Sequence, residues 1–170
     1  ANSITIHLRE DRRHIKDIDV IKICKNKQIP VNLEIALDKS IINIALKNKP
    51  NFICIVPEKR KEITTEGGLN LKKNKNKIKK VLANLKKNKI RTSLFIDPNI
   101  KDIRLSKKLM TDCIELHTGK LSNLIKLGKS YDNELLKIKK CSNLANKLGL
   151  EVHAGHGLDY KSTKILNKIS

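Results

Sequence analysis

Two histidines, an arginine and two glutamates stand where short apolar strands break their own pattern, and those residue types move protons and hold anions. In Ile4-Thr5-Ile6-His7-Leu8-Arg9 the apolar residues alternate with Thr5, His7 and Arg9, so a strand would point its core residues one way and its reactive ones the other. His14 follows in the loop, and the three arginines and two histidines of residues 7–14 would repel one another unless an anion such as a phosphate sat among them. The chemistry to expect is recognition of a phosphorylated small substrate with proton transfer near neutral pH. Arg12 and Arg13 read as solvated surface residues.

Glu34 interrupts the apolar run Val31 to Leu37 and must point away from Leu33 and Ile35. Partial desolvation there would raise its pKa and make it a base, or else it forms a buried salt bridge with an arginine. Glu115 and His117 repeat the same alternation, with His117 the better candidate for a satisfied structural residue. The stretch 56–68, with Thr64, Thr65, Gly67 and Gly68, is either an anion-holding lid or a charged surface loop. At Ala154-Gly155-His156-Gly157 a histidine lies between two glycines, whose backbone N–H groups could approach a phosphate closely.

Elements must carry these residues to one place. Short β-branched runs recur at 4–8, 31–36, 52–56, 92–96, 113–117 and 150–154, separated by lysine-rich stretches of helical spacing. Ile78, Val81, Leu82 and Leu85 share one helical face, as do Leu135, Ile138, Cys141, Leu144, Ala145 and Leu148. Asp38 is placed to cap a helix and Gly149 to end one. Strand and helix in alternation give the α/β class with a parallel sheet. Polar residues decorate nearly every strand's C-terminal end, and such ends converge in a barrel. A single domain over residues 1–170 is the expectation; the pattern does not settle whether its sheet is open or closed, the decorated ends favour a barrel, and six strands are counted where a (β/α)8 barrel needs eight.

The net charge of +20 in 170 residues raises nucleic acid as a partner. It comes mostly from lysine accompanied by much Asn and Ile, and aromatics make up only 2% of the chain, leaving few platforms for base stacking. Cys24, Cys54, Cys113 and Cys141 have no CxxC spacing and sit in apolar patterns, so they read as reduced core residues rather than zinc ligands. No apolar run approaches the roughly 20 residues a membrane helix needs. The chain reads as soluble and cytoplasmic.

Residues 7–14 (His-Leu-Arg-Glu-Asp-Arg-Arg-His), 32–34 (Asn-Leu-Glu), 56–60 (Val-Pro-Glu-Lys-Arg), 64–68 (Thr-Thr-Glu-Gly-Gly), 93–97 (Ser-Leu-Phe-Ile-Asp), 114–119 (Ile-Glu-Leu-His-Thr-Gly) and 154–158 (Ala-Gly-His-Gly-Leu) closely resemble the pyridoxine 5′-phosphate synthase family, in its order. The resemblance implies a TIM barrel that condenses 1-deoxy-D-xylulose 5-phosphate with 3-amino-2-oxopropyl phosphate, without metal or organic cofactor. It implies His7 and Glu34 as general bases, His156 as general acid and Glu115 as a stabiliser of a transition state. Arg9, His14 and Thr64 would hold the deoxyxylulose phosphate, and Gly157 would contact the second phosphate. Partners would be phosphorylated small molecules, with neither nucleic acid nor membrane, and the full-length family forms octamers. A basic RNA-binding protein and an inactive barrel remnant are the alternatives.

The resemblance also implies a preceding and a following strand, making these six strands two to seven of the ring. Two open sheet edges would then expose core. The 170-residue polypeptide by itself is expected to be poorly soluble and inactive while the full-length product is active. Parallel expression and assay of both decides this, and robust turnover by the shorter form would overturn it.

Overall fold

In the computed structural model, which describes residues 2–26, 28–57 and 67–169, strand and helix alternate along the whole chain. The strands are β1 (Ile4–Leu8), β2 (Val31–Ile35), β3 (Phe52–Ile55), β4 (Arg91–Ile96), β5 (Cys113–His117) and β6 (Glu151–Gly155). The helices are α1 (Asp17–Lys25), α2 (Lys39–Asn48), α3 (Leu71–Lys87), α4 (Ile100–Leu109), α5 (Gly119–Lys126), α6 (Asp132–Lys147) and α7 (Tyr160–Leu166). All six strands are parallel and lie in sequence order, curled into a half-barrel of the (β/α) type. Sequential parallel strands joined by helices admit this order because each crossover packs back onto the sheet.

Period-two alternation divides the strand side chains between two environments. Leu8, Leu33, Ile35, Ile53, Ile55, Leu94, Ile96, Ile114 and Leu116 are all but inaccessible to water beneath the helices, in one large apolar cluster. Cys54, Val56 and Phe95 form a second, small cluster apart from it, on the concave side of the curl. The helices answer with single apolar stripes: Ile78, Val81, Leu82 and Leu85 of α3, and Ile138, Cys141 and Ala145 of α6, are the buried positions. Cys54, Cys113 and Cys141 are buried free thiols and Cys24 is half-buried.

The β5–β6 connection and one strand bound add to the sequence reading. The stretch 120–131 opens with α5, because Leu121 and Ile125 bury on one helical face with Ser122, Asn123 and Leu124 between them. Two helices therefore connect β5 to β6, held together by the buried Glu134 of α6 with Lys120 Nζ 2.8 Å away. β6 runs from Glu151 to Gly155, so Gly155 is a strand residue in register with His117. Among the described residues no helix is long and apolar enough to cross a membrane.

Asp38 and Gly149 act as their types suggest. The Asp38 carboxylate accepts from the backbone N–H groups of Ser40 and Ile41, and Gly149 takes φ 70° just past α6. Asp38→Ala is expected to lower the free energy of unfolding by about 1 kcal/mol, measured by urea denaturation. An unchanged midpoint would show that the α2 terminus is held by packing alone.

Candidate active site

The concave side of β1 and β2 presents His7 and Glu34, register partners whose His7 Nδ1 and Glu34 Oε2 lie 3.5 Å apart. An ion pair would push the histidine pKa up and the carboxylate pKa down. The reverse holds here. Burial first and the Arg9 charge second lower the His7 pKa, and burial first and the Glu115 charge second raise that of Glu34 to about 7. Near neutral pH His7 is mostly uncharged and Glu34 stands near the middle of its titration, so the imidazole and the ionised fraction of the carboxyl can each accept a proton. Of the two environments left open for Glu34, the structure shows the desolvated carboxyl, and its neighbour is a histidine rather than an arginine.

Alternate strands of a barrel feed the same interior layer. Across β4, accordingly, Cys54 Sγ of β3 lies 3.7 Å from Glu115 Oε2 of β5. Burial and the two neighbouring carboxylates push the Cys54 thiol well up, so it stays protonated and donates to Glu115. Burial likewise raises the Glu115 pKa, against the lowering effects of Cys54, His153 and His117. Beside it, a Cβ on Gly155 would fall 2.0 Å from Glu115 Oε1, so only glycine lets β6 pass this carboxylate.

The second group of side chains lies at the ends of β4, β5 and β6. His117 Nδ1 is 3.3 Å from Asp97 Oδ1, and the ring centroids of His117 and His156 are 4.8 Å apart. The bond to His117 holds the Asp97 carboxyl below its usual range, while burial and then the His117 charge lower the His156 pKa. His156 is exposed, with φ 78°, and Gly157 follows with φ 75°. Gly157 lies against the start of α5, where a Cβ would come 3.4 Å from Ser122 Cβ. Ser122 Oγ there is buried and has no hydrogen-bond partner among the described residues.

His7, Glu34 and Glu115 thus share one side of the sheet, with Arg9 acting electrostatically on His7 and His117 linking Glu115 to His156. His14 is exposed in the β1–α1 loop with φ 65°. Thr64, with residues 58–66 as a whole, lies outside the described residues. Arg12 is more than solvated surface: it pairs with Asp17 at 2.7 Å and donates to the Arg9 and Glu10 carbonyls, tying that loop to α1.

Sequence reasoning passed over Cys54 and assigned no role to Asp97. Both follow the signal that found Glu34, since each sits two residues from an inward position on its strand. It also missed Cys113, Glu151 and His153, whose donor atoms lie within 4.8 Å of one another. Adjacent strands, rather than sequence spacing, bring them together. The Arg91 guanidinium already neutralises this set, bonded to Glu151 and 3.6 Å from Cys113 Sγ.

Known proteins resemble the chain along its whole length. Residues 1–170 match the family described as Pyridoxal phosphate biosynthesis protein PdxJ. Pyridoxine 5′-phosphate synthase of Pelagibacter ubique is 72% identical over 169 residues, covering 99% of this chain and 71% of the relative. That of Prochlorococcus marinus is 46% identical over 170 residues, covering all of this chain and 71% of the relative. A solved structure described as "PaMucR Phosphodiesterase, c-di-GMP complex" superposes with a TM-score of 0.56 at 10% identity, over 91% of this chain and 70% of the other, a likeness of fold alone.

Glu34 carries a pH signature. A carboxylate whose pKa rises from 4.5 unfolded to about 7 folded binds its proton more tightly in the folded state. Its penalty is absent below pH 4.5, grows as pH climbs, and is complete above about 7, where it is on the order of 3 kcal/mol. Glu34→Gln should therefore unfold at higher temperature than wild type at pH 8, with the gap closing toward pH 5. Parallel thermal unfolding curves at both pH values would refute the shifted pKa.

Proposed function

The chain belongs to the pyridoxal phosphate biosynthesis protein PdxJ family and is an enzyme of vitamin B6 synthesis that makes pyridoxine 5′-phosphate, and we propose that it does so by condensing 1-deoxy-D-xylulose 5-phosphate with 3-amino-2-oxopropyl phosphate at the concave C-terminal end of the sheet. The His7–Glu34 pair carries this reading. Joining an amine to a ketone, expelling phosphate and closing an aromatic ring requires several proton transfers, and efficient transfer needs groups that titrate near the working pH. Glu34, with its pKa at about 7, is such a group, and His7 beside it is neutral and able to accept.

His156 supplies the opposite function. Its lowered pKa leaves it mostly unprotonated in the free protein, and a substrate phosphate beside it raises that pKa, so the acid is charged when substrate binds. Glu115, desolvated and flanked by Cys54, His117 and His153, faces a cationic transition state across the same surface. Arg9, with His14 and Thr64, holds the phosphate of the ketose. Gly157, beside the N-terminus of α5 and the unpartnered Ser122 hydroxyl, receives the second phosphate through backbone N–H groups. Two phosphorylated substrates account for basic and glycine-bearing groups meeting at one mouth. Neither the fold nor the relatives support the RNA-binding reading.

The test is turnover by the full-length protein carrying this sequence, with both phosphorylated substrates and chromatographic detection of pyridoxine 5′-phosphate. Glu34→Gln and His156→Ala should each lower kcat about 10²-fold or more while the circular dichroism spectrum is retained. Wild-type kcat in either variant would remove that residue from the mechanism.

A further inference from the structure

His156 holds a left-handed backbone conformation, φ 78°, which is uncommon for a non-glycine residue and is here backed by its surroundings. Those surroundings are specific. The Thr118 hydroxyl, fully buried, lies 2.7 Å from the Gly155 carbonyl and 3.0 Å from that of His156, and pins the backbone. The ring of His156 is met by His117, with centroids 4.8 Å apart, and by Phe95 at 6.2 Å, while Phe95 and His117 pack edge-on at 5.2 Å. A Cβ on Gly119 would approach His117 Nε2 and His156 Cδ2 to 2.9 Å each, so glycine keeps that space open for the two rings. Behind His117 stands Asp97, whose Oδ1 faces His117 Nδ1 at 3.3 Å and accepts the Gly68 N–H at 3.0 Å.

We propose that Asp97 and His117 are positioning residues for His156: Asp97 fixes the His117 ring, and that ring, backed by Phe95, sets the orientation and protonation of His156. The kinetic consequence rests on the synthase reading given above, whereas the structural consequence stands without it. A carboxylate on Nδ1 fixes the tautomer of an imidazole, leaving Nε2 of His117 toward Gly119 and the His156 ring. Because the same Asp97 oxygen accepts the Gly68 amide, the segment that follows the Thr-Thr-Glu-Gly-Gly stretch shares an anchor with the proposed acid. Asp102 of α4, Lys137 of α6, Glu115 of β5 and His153 of β6 are the other charged groups that act on this set, through Asp97 or Glu115. The lowering of the His156 pKa by His117 is in line with the geometry.

The chain has five histidines, few enough to follow individually by imidazole NMR in the full-length protein. His117→Asn keeps an N–H donor where Nδ1 stood but removes the ring, and His117→Phe keeps a ring but removes both ring nitrogens and the bond to Asp97. Whichever variant folds is read. Each is expected to raise the titration midpoint of His156 by roughly half a pH unit and to move the limb of the kcat–pH profile with it. At optimal pH kcat should fall roughly tenfold with KM altered less than about twofold. The proposal fails if the His156 midpoint is the same in wild type and variant, or if the midpoint moves while kcat and its pH profile stay at wild-type values. Wild-type protein without turnover would instead sink the synthase reading and leave the NMR midpoint to decide the positioning role.

Discussion

When parallel strands curl, the side chains on the concave side are pressed together, and here that side carries His7, Glu34, Cys54, Glu115 and His117. The contact of Cys54 with Glu115 across an intervening strand is the direct expression of that curl. It places a buried thiol between two carboxylates, and the low polarity that follows sets the protonation of the whole group. Glu34 has its pKa raised to about 7 because water is excluded and a second carboxylate is near, not because of any special property of its own.

Two demands on the strands explain why this arrangement can exist in a protein so rich in lysine. On the convex side nearly every position is Ile, Leu or Val and is sealed by the helices, which supplies the burial that holds the sheet together. The lysines lie along the solvent sides of those helices, and the stripes beneath them remain apolar. The concave side is thereby free to carry groups that stabilise nothing by themselves. His7, Glu34 and Glu115 are desolvated without full compensation, a cost that the convex core offsets.

Small residues are as much a part of the site as the ionisable ones. Gly155 lets β6 run past the Glu115 carboxylate, Gly119 leaves room for two imidazole rings, and Gly157 brings the backbone close to the start of α5. A methyl group would come within 2.0 Å of a side-chain atom at Gly155 and 2.9 Å at Gly119, while at Gly157 it is the φ of 75° that favours glycine. The Asp97–His117–His156 series and the His7–Glu34 pair are therefore two halves of one surface, joined through Glu115 and kept open by glycine.

The strand positions, the α/β class, the cap at Asp38 and the inward placement of His7, Glu34, Glu115 and His117 were all legible in the sequence, because period-two and period-3.6 patterns are local properties of the chain. The helix α5 was passed over although Leu121, Leu124 and Ile125 have helical spacing, because at 8 residues it is too short for a pattern to stand out. The sequence by itself determined which residues leave the apolar core and on which strand each stands. The tertiary structure alone decided that Cys54 meets Glu115, that Asp97 backs His117, that Glu34 pairs with a histidine instead of an arginine, and that Arg91 closes the Cys113, Glu151 and His153 set. Those pairings depend on the stagger between strands and the depth of the curl, which arise from packing across the whole sheet and leave no mark on the spacing of any one segment.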